Sequence, residues 1–359
     1  MSDIVIEQQT LNYIDAIREG ISEAMQADET IFVIGEGVPD PKAIFGSTQG
    51  LRQQFGEHRV LDMPLSENAM TGMCIGASLN GLKPLLIHQR IDFSLLSADQ
   101  LINQAAKWHY LFHQAVPLVV RMIIGKGWGQ GPQHSQALWG LYAQVPGLKI
   151  FLPATANDAK QMMKAALNDP NPVLFIEHRW LHHTESLIED NEATINELSK
   201  AMVLRQGDAA TIVASSYMVH EALNAAQACA QFGMEIEVID LRVGHEFDYA
   251  TIAASVNKTK NLIVADLHPM HLSPGHAIIS QLMQNGIQLQ TPPRLVAQPN
   301  HPVPTSWYLA ENSYQAAEAI AEAIAQSQNL TALQLKKILA ALSQPPRTDV
   351  PNRSFCGPF

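Results

Sequence analysis

Short apolar runs of strand length recur along this chain, each followed by a longer stretch with helical spacing. That alternation limits the fold more than any other feature of the sequence. Runs such as Ile31–Ile34 and Pro117–Ile124 have almost no polar face to offer water, so they belong in a sheet covered on both sides. Parallel strands joined by helical crossovers provide that cover. Leu11, Ile14, Ile17, Ile21 and Met25 recur at three- and four-residue steps and predict an amphipathic helix over 8–27. Val60–Leu61, Lys83–His88, Leu148–Leu152 and Pro172–Glu177 read as further strands. Residues 66–80, 97–110 and 155–168 read as helices, with another beginning near Ala137. Ser66 is placed to cap one of these, and Thr155 with Asp158 has the spacing of a capping box.

A polar stretch without strong periodicity, 184–206, reads as a linker. A second series follows, with strands at Ala210–Ser215, Glu235–Asp240, Asn261–Asp266 and Gln290–Val296 and helices at 218–232, 248–258, 275–285 and 313–326. The expected fold class is therefore α/β with two doubly wound domains, 5–183 and 207–328. A C-terminal helix and an extended, proline-rich tail occupy 329–359. With 47% hydrophobic and 16% charged residues, the chain has an ordinary globular balance. A net charge of −11 argues against nucleic acid as a partner. The run Ala115–Gly125, interrupted by Arg121, is too short to span a bilayer. Cys74, Cys229 and Cys356 offer neither a disulfide framework nor a CxxC zinc site, and Met1–Ile4 does not open a signal peptide. The expectation is a cytoplasmic protein.

Several residues could carry chemistry. Gly125–Gly131 follows a strand as a dinucleotide loop would, but Pro132 interrupts it and the next strand ends without an acid. A loop over a site, or a plain surface loop, suits it better than nicotinamide binding. His134 stands just before the helix expected from Ala137. A helix N-terminus would disfavour its charged form and ready it for proton exchange, although a loop or capping histidine reads the same way. Glu67 falls in a first helical turn, where burial would raise its pKa and the dipole would lower it; simple dipole compensation is the alternative. Glu36 follows a strand end, where open α/β sheets bind ligands and where a solvated loop residue would also sit. Gly72, Gly76, Ala77 and Ser78 place four small residues in one helix, implying a close neighbour. Of the fourteen histidines, His178, His182 and His183, and His268, His271 and His276, form two groups without a recognisable metal motif.

Taken in order, Ile34-Gly35-Glu36, Asp62-Met63-Pro64-Leu65-Ser66-Glu67, Gln133-His134-Ser135-Gln136, Val145–Lys149, Asn168–Val173 and Val238–Arg242 form one series. Across residues 5–325 the chain resembles the beta subunit of the thiamine-diphosphate-dependent, decarboxylating component of 2-oxoacid dehydrogenase complexes (pyruvate, branched-chain and acetoin types). The resemblance implies a transketolase-like pyrimidine-binding domain followed by a transketolase C-terminal domain. It also implies an alpha subunit that carries the diphosphate- and magnesium-binding motif, which is missing here beyond Gly207-Asp208-Ala209. An α2β2 heterotetramer and a lipoyl acyltransferase core are the implied partners. By position Glu67 matches the glutamate facing the aminopyrimidine, Glu36 a second carboxylate near the cofactor, Phe93 an aromatic beside the pyrimidine, and His134 the histidine serving substrate and acyl transfer. Leu118, Ala166, Leu167, Asp169 and Asn171 match positions that hold a structural potassium ion in some members.

The chain departs from that pattern in places. Gln89 has counterparts in branched-chain relatives, but Arg90 is unusual in either type; it could neutralise an anionic substrate or form an interface ion pair. Gly37 stands where a second acid often follows, Met122–Ile124 replaces Gly-Pro, and Leu267–His271 replaces an acidic, Gly-rich stretch that helps dock the acyltransferase. Two other readings therefore stand beside the leading one. One is a stand-alone thiamine-dependent enzyme passing a ketol or acyl unit without a lipoyl partner. The other is a non-catalytic subunit that stabilises an alpha chain.

Overall fold

The structure, a computed structural model, describes residues 9–40, 43–125, 127, 129–189, 193–310, 313–314 and 316–343. The first alternating series builds a six-stranded sheet. Its order is Val60–Leu61, Ile31–Gly35, Lys83–His88, Val119–Ile124, Val173–His178 and Lys149–Phe151, all parallel. Every residue of Val119–Ile124 is buried, as a run with no polar face requires. Helices Tyr13–Ala27 and Ala156–Asn168 cover one face, with Ile17, Ile21, Met25, Met162 and Met163 in the core between them and the sheet. On the other face, Cys74 and Ile75 of helix Glu67–Leu79 share a core with Leu86, Val120 and Ile176.

Arg121 lies inside this sheet with no exposure. It forms a two-pronged ion pair with Glu177 of the neighbouring strand, Nε–Oε2 2.8 Å and Nη2–Oε1 2.7 Å. His182 Nε2 meets the same carboxylate at 2.9 Å. Burial alone would raise the Glu177 pKa, but Arg121 and then His182 outweigh it and hold the carboxyl at about 2.

Several elements differ from the sequence expectation, each for a local reason. The first helix begins at Tyr13, because Asn12 Oδ1 accepts from the Asp15 N–H (2.8 Å) and caps it. The residues before it, Thr10–Asn12, pair antiparallel with Glu185–Leu187, a long-range contact invisible to local spacing. Ser66 precedes its helix but makes no side-chain cap bond. The helix expected over 97–110 is present but changes pitch: it follows the 3-10 turn Ile91–Ser97, takes a π-helical turn at Gln100–Ala105 and continues as the α-helix Ala106–Phe112. The helix expected from Ala137 reduces to Trp139–Ala143. Gly147 follows it at φ +99°, where a Cβ would stand 2.0 Å from the Ala106 carbonyl oxygen.

Nor is 184–206 simply a linker. Glu185–Leu187 is a strand, Thr194 and Glu197 form a reciprocal capping box on the short helix Ile195–Leu198, and Met202–Arg205 is a sheet edge. Strands of three or four residues at a sheet edge are too short to stand out as apolar runs. The second unit therefore begins before residue 207. Its sheet runs Arg294–Gln298, Leu262–Pro269, Ala210–Ala214, Ile236–Asp240, Met202–Arg205, parallel except for the last strand. Helices Tyr217–Ala230, Tyr249–Thr259, Gly275–Gln284 and Ala317–Ser327 flank it. The expected C-terminal helix is Ala332–Ala341; the proline-rich tail, with Cys356, lies outside the described residues.

The two units are joined edge to loop. Leu152 N donates to Arg242 O (2.8 Å) and Gly244 N to Ile150 O (3.0 Å). Arg242 also grips Asp158 through Nε–Oδ2 (2.9 Å) and Nη2–Oδ1 (2.7 Å). His268 Nε2 accepts from Gly140 N (2.9 Å), which leaves Nδ1 to donate to Asp266 (2.8 Å).

Candidate functional site

Four adjacent strands of the first sheet end at one edge and deliver the candidate residues there. Glu36 follows Ile31–Gly35, Gln89 and Arg90 follow Lys83–His88, Gly125 follows Val119–Ile124, and Arg179 follows Val173–His178. The carboxyl edge of an open parallel sheet is where ligands bind, because strand ends leave backbone groups and loops facing outward. Strand order reverses between Ile31–Gly35 and Lys83–His88, and Gln89 Nε2 donates to the Glu36 carbonyl (3.0 Å) at that switch point.

Two carboxylates here act on one another through their charge. Glu67, 7% exposed, opens its helix, and among the described residues no hydrogen bond reaches its carboxylate. Burial raises the pKa of Glu36, and the negative charges of Glu67 and then Asp62 push it further. Asp62 itself accepts from Gly37 N at 2.9 Å. The glycines of the Glu67 helix are uncrowded: a Cβ on Gly76 would meet nothing within 4 Å, and one on Gly72 only the Gln100 side chain. Close packing within this chain therefore does not explain them.

Beside the carboxylates lies a cleft of about 210 Å³ lined by Phe45, Gln89, Arg90, Phe93, Gln130, His134 and Arg179. Phe93 and His134 meet edge to face, centroids 5.6 Å apart. The structure thus brings Gln89, Arg90, Phe93 and His134 together; Glu36 and Glu67 are not part of this lining. His134 ends the short 3-10 turn Pro132–His134, five residues before the helix at Trp139. That helix therefore begins more than a turn beyond His134, not directly after it. Arg90 donates to Gly125 O (2.8 Å) and Gln130 Oε1 (2.9 Å), pinning both ends of the described glycine-rich loop. Lys126 and Trp128 of that loop lie outside the described residues.

Sequence reasoning missed Arg179, Phe45 and Gln130. Arg179 had a signal, since it occupies the position after a strand that Glu36 also holds. Its guanidinium stands 4.2 Å from the Phe45 ring centroid, and Nη1 lies 3.2 Å from His182 Nδ1. Phe45 had none, because its placement depends on positive φ at Ile44 (43°) and Phe45 (58°). In the first histidine group, His178 and His182 are packed into the core, whereas His271 and His276 of the second are exposed. His182 is fully buried and held down at a pKa of about 4, chiefly by burial, while His178 stacks on Tyr217. No cluster of three His, Cys, Asp or Glu among the described residues could hold a metal ion.

The positions compared with a potassium site lie at the opposite edge of the same sheet. Leu118 O accepts from Val173 N (2.9 Å), Ala166 O from Asp169 N (3.1 Å), and Asp169 Oδ1 from Asn171 N (2.8 Å). The other Asp169 oxygen already meets the Lys149 ammonium. A cation there would rest mainly on carbonyl oxygens that are partly used.

Known proteins share both halves of this architecture. The pyrimidine-binding domain of transketolase matches residues 9–183, and the transketolase C-terminal domain matches 199–324. A pyruvate dehydrogenase E1 component subunit beta-1 from Arabidopsis thaliana is 38% identical over 297 residues, covering 81% of this chain and 82% of that one. The chain belongs to the E1 beta-subunit family. The beta subunit of an acetoin:2,6-dichlorophenolindophenol oxidoreductase from Cupriavidus necator is 35% identical over 321 residues, covering 86% and 94% of the two chains. A pyruvate dehydrogenase E1 beta subunit from Rhizobium meliloti is 34% identical, and the match spans 83% of this chain but only 65% of that longer relative. A solved structure titled as a split-gene transketolase, inactive beta4 tetramer, shares the fold: TM-score 0.68 at 19% identity, covering 88% and 97% of the chains. Thiamine diphosphate dependence is general in this E1 family, and E1 beta subunits work with an alpha subunit. Among the described residues, no helix is long and apolar enough to cross a membrane.

Proposed function

We propose that this chain is the beta subunit of a thiamine-diphosphate-dependent, decarboxylating and acyl-transferring 2-oxoacid dehydrogenase, active only with an alpha subunit in an α2β2 assembly. One observation carries the reading: Glu67 is a nearly buried residue whose carboxylate meets no hydrogen-bond partner among the described residues, and its charge raises the proton affinity of a second carboxylate, Glu36. A carboxylate so placed is free to bond a group from outside the described residues. Glu67 would contact the aminopyrimidine nitrogen and exchange its proton, and Glu36 would share that proton. Phe93 would give the ring an apolar wall, while His134, from the cleft side, would donate to or accept from the substrate. Thiamine diphosphate, when bound, supplies the electron sink that carbanion chemistry needs. The diphosphate and its magnesium would be held by the alpha subunit, and no step is assigned to potassium.

Exposed apolar side chains support a docked partner. Leu65, Leu96, Tyr110, Leu111 and Phe112 are all more than half exposed, on segments following or flanking the Glu67 helix. The test is reconstitution with the alpha subunit, measuring thiamine- and 2-oxoacid-dependent reduction of lipoamide. Glu67→Gln should lower kcat by about 100-fold or more. Undiminished turnover would favour the non-catalytic subunit instead. Carbon–carbon bond formation with an aldehyde, without lipoamide reduction, would favour the stand-alone enzyme, a reading that buried Arg90 in the cleft encourages.

A further inference from the structure

The 3-10 turn Ile91–Ser97 is a fixed base beside the cleft. Ile91 has no exposure, and Ser94 Oγ bonds both Ile91 O (2.6 Å) and the buried Tyr142 hydroxyl (2.7 Å). Two contacts run from this turn to the segment that carries His134. Phe93 meets the imidazole edge to face, with the ring planes 78° apart. Asp92, 8% exposed, accepts through Oδ1 from Gln136 Nε2 (2.7 Å), two residues beyond His134. Ser135, between them, is buried too, so the Gln136 tether leaves the imidazole little freedom to swing. On the other side of His134, Arg90 fastens the loop at Gly125 O and Gln130 Oε1. Both clasps come from one short segment, Arg90–Phe93.

Stability alone gives a weak reason for an acid at position 92. The Asp92 Oδ2 has no hydrogen-bond partner among the described residues. A buried carboxylate with one oxygen unsatisfied costs free energy that an apolar side chain of like size would not. Burial raises its pKa, and the bond from the Gln136 side chain opposes that rise. What the carboxylate does supply is an oriented acceptor on a rigid element. A side chain that exchanges protons with a substrate needs such support, because a misplacement of about 1 Å can cost about 100-fold in rate.

We propose that Asp92 is a positioning residue for His134: through Gln136 it holds the imidazole against Phe93 at the cleft. The inference rests on the E1-type reading for what His134 does with substrate, but the position of the imidazole can be read without turnover. The alpha–beta complex would be treated with diethyl pyrocarbonate and the carbethoxylation rate of His134 followed by peptide mass spectrometry, with the exposed His271 and His301 as references. Asp92→Ala should change the His134 rate about threefold or more and leave the references unmoved, as loss of one hydrogen bond implies. Asp92→Asn keeps an acceptor oxygen and should return the rate toward that of the parent. An unchanged His134 rate in Asp92→Ala overturns the inference. Kinetics supply a second arm. Asp92→Ala should lower kcat about tenfold with KM within about twofold, and should cost less than about twofold more in a His134→Gln background. An unchanged kcat, or effects that multiply across the two sites, would show that Asp92 does not act through His134 and would also overturn it. If Asp92→Ala does not fold, Gln136→Met, which removes the donor at a half-buried position, decides by the same measurements. A parent complex without thiamine-dependent turnover, in which the carbethoxylation change persists, would sink the E1 reading alone.

Discussion

Replacing Glu177 by Gln tests the fully buried ion pair inside the first sheet. Its carboxyl is held at about 2 against an ordinary 4.5, a difference of about 2.5 units. At about 1.4 kcal/mol per unit, the folded state favours the charged form by about 3 kcal/mol. The variant also strands Arg121, a cation with no exposure whose Nη1 already lacks a partner. Breaking one half of a buried pair typically costs about 3–5 kcal/mol, so we expect a loss in that range. Guanidinium unfolding of the full chain, followed by tryptophan fluorescence, would read it as a lower midpoint at unchanged slope. Because the folded pKa is depressed, the Glu177 contribution is present above pH 4.5 and lost as pH falls toward 2. The buried, neutral His182, lowered from 6.5 to about 4, adds a loss between those values. The double variant Arg121→Met/Glu177→Met should be more stable than Glu177→Gln, since apolar replacement leaves no stranded charge. A Glu177→Gln protein within about 1 kcal/mol of the parent, or a double variant no better than the single, would refute this account.

Asp240 tests the opposite sign. Burial, followed by the charge of Asp158, raises its pKa to about 8, and its Oδ2 has no hydrogen-bond partner. A raised carboxyl contributes stability that is complete below pH 3.8 and lost as pH rises through about 8. Asp240→Asn should therefore be more stable than the parent at pH 9 and flatten the fall in melting temperature between about pH 4 and 8; an equal fall in both proteins would count against it. Gly147→Ala should cost about 3 kcal/mol or more, because its Cβ would overlap the Ala106 carbonyl at a positive φ. Near-normal unfolding of that variant would show that the turn yields more easily than its geometry implies.

How the chain divides between sequence and tertiary structure follows from the range of each force. Apolar runs and helical spacing are local, so the two parallel sheets, the helix Ala156–Asn168 with its Thr155 cap and the strand-end position of Glu36 could all be read directly. The family motifs marked Glu67, Phe93 and His134, and the fold brought Phe93 and His134 into contact. Edge strands such as Thr10–Asn12 and Met202–Arg205 were hidden, because they pair with partners 177 or 33 residues away in the register pairs Thr10↔Leu187 and Val238↔Arg205. The Arg90–Arg179 pair was hidden for the same reason. Neither arginine's place could be read locally, and only parallel strands ending at a common edge bring both to the lining of one cleft.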